Sequence, residues 1–171
     1  MEEKRMMQAA EALLFISAKP LSAEKLSEVL GINKEDSEQL LLQLQYDYER
    51  EKRGIRIRRI AGAYQMVTAL EISPYLEKFN RTVKRLTLSS AALESLAIIA
   101  YRQPITRSEI DQIRGVRSEK AVLSLLEKNL ICEVGRKETI GKPIIYGTTK
   151  YFLEHFGLDS LNDLPPFPEG E

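Results

Sequence analysis

The sequence predicts an α+β, mostly helical fold in which one kind of domain occurs twice in tandem. Each half of the chain holds three segments with helical periodicity followed by two β segments, and the helix boundary signals recur at a constant offset of 84 residues. The matching positions are Pro20 and Pro104, Leu21 and Ile105, Ser22 and Thr106, Leu26 and Ile110, and Gly31 and Gly115. Because the helix stop, the cap and the terminal glycine recur together, the repeat covers whole domains.

The first half begins with a helix predicted over residues 1–18. Lys19-Pro20 ends this helix, because the residue before a proline is pushed out of helical backbone geometry. Ser22 can cap a second helix that ends at Gly31, and Asn33 can cap a long third helix through about residue 52.

A β-hairpin and a linker follow. Ile55–Ile60 and Tyr64–Thr68 flank the turn Ala61-Gly62-Ala63 and predict the hairpin. Ser73-Pro74 then begins a linker helix, since proline is well placed in a first helical turn. Its apolar residues, predicted to face inward, are Leu76, Phe79 and Val83.

The second half repeats this order. Ser89 or Ser90 can cap a helix that Gln103-Pro104 ends, and Thr106 can cap a short helix over Ser108–Ile113. Ser118 opens the third helix. The remaining predicted elements are strands at Ile131–Val134 and Ile144–Thr148 around the turn-rich segment Gly135–Pro143, and a last helix at Tyr151–Phe156 capped by Thr149.

Three helices followed by a hairpin form the pattern of a winged-helix domain, in which the hairpin is the wing. The fold class we predict is therefore α+β, mostly helical, with two tandem winged-helix domains joined by a helical linker. The predicted organisation is an N-terminal domain at 1–70, the linker at 71–87, a C-terminal domain at 88–157, and an extended, proline-containing tail at 158–171.

Composition gives little support to an enzyme. Lys+Arg and Asp+Glu each number 25, so bulk charge favours neither nucleic acid nor a membrane. Cys132 is the single cysteine and His155 the single histidine, which leaves no disulfide framework, metal cluster or histidine-activated nucleophile; we expect Cys132 to pack in a core. No long apolar run predicts a signal peptide or a transmembrane segment. We expect a cytoplasmic, non-enzymatic protein that uses no cofactor.

DNA binding is the alternative function, that of a dimeric winged-helix transcription regulator. The third helix of such a domain usually enters the major groove, but residues 34–52 carry three basic against six acidic residues. The third helix of the second half has a net charge of only one positive. A weak or indirect DNA contact is left to the second wing, through Arg136, Lys137 and Lys142.

Excess apolar surface indicates a protein partner instead. The first helix is apolar nearly all round from Ala9 to Ile16, and so is the segment from Leu96 to Ala100 in the second half. Leu42 and Tyr46 lie off the apolar stripe of the long acidic helix. These faces are covered either by the other domain and the linker helix, or by self-association and a partner segment.

The amino-acid sequence of both halves resembles the segregation and condensation protein B family. The matching segments are AEALLFISAKPLSAEKLSEVLG, GIRIRRIAGAYQMVT, ALESLAIIAYRQPITRSEIDQIRGV, LLEKNLICEVGRKETIGKPIIYGTT and FLEHFGLDSLNDLPPFPE. The resemblance implies a homodimer formed mainly by the N-terminal domains and C-terminal domains that grip the central region of the kleisin subunit ScpA. It also implies a place in the bacterial SMC condensin complex, with the ATPase residing in SMC, and a role in chromosome condensation and segregation.

Candidate contact residues follow from combining this resemblance with the apolar surfaces. For the centre of the dimer interface we predict Leu13, Phe15, Leu42 and Tyr46. For the kleisin site, at the exit of the first helix and the wing of the second domain, we predict Ile99, Tyr101, Arg102, Ile144 and Tyr146. The alternative for Ile99 and Ile144 is that both belong to the core of the domain.

Overall fold

The computed structural model describes residues 2–79 and 88–166. The chain divides into two compact units. The first comprises Met1–Val83 with Gly157–Ser160, and the second comprises Lys84–Phe156 with Leu161–Glu171. No helix of the described residues is both long and apolar enough to cross a membrane.

The first unit consists of three helices, a hairpin and a short C-terminal helical segment. In chain order its elements are α1 (Glu2–Ile16), α2 (Ala23–Leu30), α3 (Lys34–Arg50), β1 (Ile55–Ile60), β2 (Ala63–Thr68), a 3-10 turn (Leu70–Ile72) and α4 (Ser73–Phe79). Ser22 and Asn33 cap α2 and α3, each accepting a hydrogen bond from the backbone N–H three residues later. Both predicted caps are therefore confirmed.

Strands β1 and β2 pair antiparallel, with Ile55 opposite Thr68 and Ile60 opposite Ala63. Ala61 and Gly62 adopt φ of 51° and 79°, as a two-residue hairpin turn with both residues at positive φ requires. Leu158 and Asp159 join the unit here: the Ala61 N–H donates to the Leu158 carbonyl (2.9 Å) and the Gly62 N–H to the Asp159 carboxylate (2.7 Å).

The core of the first unit lies between its helices and the inner face of the hairpin. Its buried members are Ala10, Leu14, Ala23, Leu26, Leu41, Leu44, Tyr48, Ile57 and Tyr64. The tyrosine hydroxyls keep polar partners at the edge of this core, since Tyr64 donates to Glu38 (2.6 Å) and Tyr48 donates to Glu11. Polar groups of a buried side chain are thus satisfied, as stability requires.

The second unit repeats the order of helices and hairpin. Its elements are α5 (Ser90–Arg102), β3 (Ile105–Thr106), α6 (Arg107–Arg114), α7 (Glu119–Glu127), β4 (Ile131–Arg136), β5 (Ile144–Thr148), α8 (Lys150–Phe156) and a 3-10 turn (Leu161–Asp163). The antiparallel sheet has the order β3-β5-β4, with an irregularity between Glu133 and Gly135. Helix α5 packs against α6, α7 and β5.

The predicted mixed helical and sheet fold is confirmed, and so is the start of the third helix at Ser118, because α7 begins at Glu119. Two local expectations were wrong, and two local features were not predicted. Phe79 is 86% exposed rather than inward, whereas Val83 lies outside the described residues. Ser118 makes no capping bond to α7, because its hydroxyl donates to Asp111. Ile105–Thr106 pairs with β5 as a short strand, and Leu161–Asp163 forms a 3-10 turn where an extended tail was predicted.

Candidate interaction surfaces

The first unit presents large apolar side chains on two helices that pack together. Phe15 at the end of α1 is 73% exposed, and on α3 Leu42 is 43% and Tyr46 57% exposed. Leu42 and Tyr46 are four residues apart, so they share one face of α3. Leu13 differs from these three, because it is half-buried and packs against the core of the unit.

We expected an apolar surface on α5 from Leu96 to Ala100, but within this segment only Ala97 is exposed. Leu96, Ile98, Ile99 and Ala100 are all buried. Their burial follows from the position of α5, which contacts helices α6 and α7 and the sheet strand β5 at the same time. A helix that is apolar on all sides is therefore a central, covered helix in the second unit. On α1 the same pattern leaves Phe15 and Ile16 exposed at the surface.

The five predicted kleisin residues do not form one exposed surface. Ile99 is fully buried, so its prediction as a direct partner contact is wrong. Tyr146 is only 8% exposed, Ile144 and Tyr101 are half-buried, and Arg102 is exposed. The Tyr101 hydroxyl also donates to the Pro165 carbonyl (2.6 Å), which places a part of the chain's own C-terminal segment at this position.

Two of the three basic side chains of the second wing already have partners. The Lys137 ammonium lies 2.6 Å from a Glu109 carboxylate oxygen, and an Arg136 guanidinium N–H donates to the Lys142 carbonyl (3.1 Å). Ion pairing to Glu109 lowers the positive potential that Lys137 can offer to a phosphate. This wing is a weaker DNA-binding feature than its three basic residues indicate in the sequence.

Glu109 connects the wing to the start of α6. It completes a capping box with Thr106: the Thr106 N–H donates to the carboxylate (2.8 Å), and the Glu109 N–H donates to the Thr106 hydroxyl (3.3 Å). The Lys137 ammonium, followed by the backbone N–H and hydroxyl of Thr106, lowers the pKa of Glu109 from 4.5 to about 2. Three groups of the second unit thus bond to one ionised carboxylate, namely the Lys137 ammonium and the N–H and hydroxyl of Thr106.

We expect this carboxylate to make the second unit sensitive to acid. Because the pKa of Glu109 falls on folding from 4.5 to about 2, its stabilisation is present above 4.5 and is lost as the pH falls towards 2. The measurement is the free energy of unfolding in urea across this window for the wild type and Glu109→Gln. The stability advantage of the wild type should shrink as the pH falls.

Lys137→Met provides the matched control, since it removes the largest cause of the lowered pKa and keeps the Thr106 contacts. In the Lys137→Met background, changing Glu109 to Gln should alter the free energy of unfolding in a less pH-dependent way than it does in the wild type. An advantage that stays constant down to low pH contradicts the assignment.

A cleft in the second unit lies between α6 and the β4–β5 hairpin, with a volume of about 460 Å³. It is lined by Arg107, Ser108, Asp111, Arg136, Pro143, Ile144 and Tyr146. Arg107 and Ser108 were not predicted as site residues, because in the sequence they stand only at the start of a short helix. The positions of these two residues along the helix do not indicate that they lie beside the β4–β5 hairpin.

Cys132 and His155 take ordinary structural positions. Cys132 is a half-buried free thiol on β4. The exposed His155 ring contacts the rings of Tyr151 and Phe156, with centroids 5.9 and 5.1 Å away. Residues 2–79 and 88–166 contain no group of three or more histidine, cysteine, aspartate or glutamate side chains placed to hold a metal ion.

Comparison with known proteins relates the chain to one family. A family model described as "Segregation and condensation complex subunit ScpB" matches residues 8–167. The chain is 48% identical over 169 residues to segregation and condensation protein B of Brevibacillus brevis, a match covering 98% of this chain and 87% of that protein. It is 45% identical over 167 residues to the protein of that name from Clostridium tetani, covering 98% and 88%. A crystal structure of a dimer of the ScpB N-terminal domain complexed with ScpA peptide is 32% identical, covers 44% of this chain and 95% of that chain, and gives a TM-score of 0.43.

Proposed function

The chain belongs to the family of segregation and condensation complex subunit ScpB, and from this premise we propose that it is a non-enzymatic, homodimeric subunit of the bacterial SMC–kleisin condensin complex. In this proposal it binds the central region of the kleisin subunit ScpA and reaches SMC through that subunit. It supports chromosome condensation and segregation in the cytoplasm, where it is associated with the nucleoid.

The observation that carries the proposal, beside family membership, is the exposed apolar surface of the first unit. Phe15, Leu42 and Tyr46 place three large apolar side chains at the surface, on two helices that pack together. Burying such side chains against a second copy releases free energy in proportion to the apolar area removed from water. Aromatic residues are also frequent at the centres of protein interfaces.

Pairing of two chains links two kleisin-binding sites in one dimer. A dimer carries two copies of the second unit, so a kleisin segment bound to one copy meets the other at a raised effective concentration. This bivalent arrangement lets moderate contacts add to a stable complex. It requires no chemistry from the protein itself.

Electrostatics of α3 argue against the alternative, a DNA-binding transcription regulator. Within α3 the basic residues are Lys34 and Arg50, against Glu35, Asp36, Glu38, Asp47 and Glu49. Lys34 is further paired with Glu24, with 2.5 Å between the ammonium nitrogen and a carboxylate oxygen. Phosphates would be repelled from the helix that a winged-helix regulator inserts into DNA.

Titration calorimetry with purified kleisin tests the proposal against this alternative. We expect a saturable complex with the kleisin subunit and only weak binding to duplex DNA. Tight duplex binding that falls steeply with rising salt, in a protein indifferent to kleisin, would favour the regulator, because released counterions set that slope.

A further inference from the structure

The cleft between α6 and the β4–β5 hairpin combines two guanidinium groups with a tyrosine hydroxyl. Arg107 comes from the first turn of α6, Arg136 from the end of β4, and Tyr146 from β5. Tyr146 is only 8% exposed, yet within the described part of the chain its hydroxyl has no hydrogen-bond partner. Its oxygen is not sealed from solvent, so the hydroxyl can donate a hydrogen bond to a ligand that enters the cleft.

Three carboxylates lie on or beside the cleft, those of Asp111, Glu119 and Glu133. Asp111 lines it, but this carboxylate accepts hydrogen bonds from the Ser118 N–H (2.7 Å) and the Ser118 hydroxyl. Glu119 lies 3.5 Å from Arg107, and both side chains are more than half exposed, at 61% and 51%. An exposed pair of this kind is weak and exchanges readily for another carboxylate. Among the residues that line the cleft, two arginines stand against the carboxylate of Asp111.

The remaining walls are apolar. Pro143 and Ile144 of the hairpin and the ring of Tyr146 lie beside the two arginines. The volume of about 460 Å³ is in the range of sites that hold several atoms of a ligand rather than a single ion. Planar guanidinium groups match a carboxylate with two parallel hydrogen bonds, and the apolar wall accommodates the stem of a side chain.

We propose that this cleft binds an aspartate or glutamate side chain of the kleisin segment, held by Arg107, Arg136 and the Tyr146 hydroxyl. The inference rests on the proposed function and adds to it the chemistry of one contact. It keeps the predicted contact at the wing, where Ile144 and Tyr146 line the cleft, and replaces the predicted helix exit at Tyr101 by the start of α6. Phosphate groups of DNA share the charge of a carboxylate, and the test separates the two.

Tyr146→Phe and Arg136→Glu are the test variants, measured for affinity to the purified kleisin central region. Tyr146→Phe removes only the hydroxyl and retains the buried ring, so the second unit keeps its packing. Each variant should bind kleisin about 10- to 100-fold more weakly, as loss of a charge-assisted hydrogen bond implies. Lys120→Glu is the charge-matched control, because Lys120 is exposed on α7 outside the cleft, and it should bind like the wild type.

A double-mutant cycle identifies the partner group. Acidic residues of the kleisin segment are changed singly to the corresponding amides, and each is tested against the wild type and Tyr146→Phe. At one position the amide should weaken binding to the wild type but cause little further loss with Tyr146→Phe, since coupled groups are not additive.

Four outcomes are distinguished. Weakened kleisin binding by both cleft variants with an unaffected control supports the proposal. Equal binding by all variants overturns it and leaves the proposed function intact. A wild type that binds no kleisin overturns both. Variants that lose duplex DNA binding while retaining kleisin binding overturn it in favour of a phosphate site.

Discussion

Ile99→Ala is expected to destabilise the second unit by about 2–5 kcal/mol, the usual cost of deleting a fully buried aliphatic side chain. Ile99 is completely buried on α5, the helix that contacts α6, α7 and β5. A cavity there removes contacts with several elements at once. Urea unfolding followed by circular dichroism measures the change in the free energy of unfolding.

Leu93→Ala is the matched control on the same helix. Leu93 is 49% exposed, so its truncation should cost much less than that of Ile99. If Ile99→Ala leaves stability unchanged but abolishes kleisin binding, Ile99 contacts the partner directly and its buried placement is incorrect.

The Leu42→Glu and Tyr46→Glu double variant is expected to convert the dimer to a monomer. Both side chains lie exposed on one face of α3, and pairing would place two new carboxylates in an apolar interface without partners. The loss of affinity should be at least about 100-fold, which corresponds to roughly 3 kcal/mol. Light scattering at micromolar concentration reports the halved mass.

Val29→Glu tests whether loss of the dimer depends on where the new carboxylate is placed. Val29 is 53% exposed on α2 in the same unit and lies outside the predicted dimer interface, so this variant should stay dimeric. A double variant at Leu42 and Tyr46 that retains the wild-type mass removes these residues from the interface.

Local signals predicted the helices and strands well because each has its cause within a few residues. Ser22 and Asn33 cap their helices through the adjacent backbone, and Thr106 does so within a capping box. Gly31 and Gly115 end α2 and α6 with φ of 68° and 71°. Such features need no knowledge of tertiary contacts.

The errors arose where a distant partner decides the outcome. Ser118 opens α7 as predicted, but its hydroxyl donates to Asp111, seven residues earlier, instead of capping the helix. Strand β3 exists only because β5 pairs with it. Two residues with no alternating pattern of their own could not predict a strand.

The contact surfaces were predicted less well for the same reason. Apolar residues all round α5 show that the helix is covered, but composition does not say whether its own unit or a partner covers it. On the wing, the count of basic residues omitted Glu109, which lies 28 positions before Lys137 in the sequence and pairs with it. Arg107 and Tyr146 meet in one cleft through the packing of α6 on the hairpin.

Multi-angle light scattering of the protein, alone and mixed with the purified kleisin subunit, tests the central claim most directly. We expect a mass near twice that of the 19.5 kDa chain for the protein alone, and a larger, defined complex after kleisin is added. A monomer whose mass does not change with kleisin would contradict both the pairing and the partner.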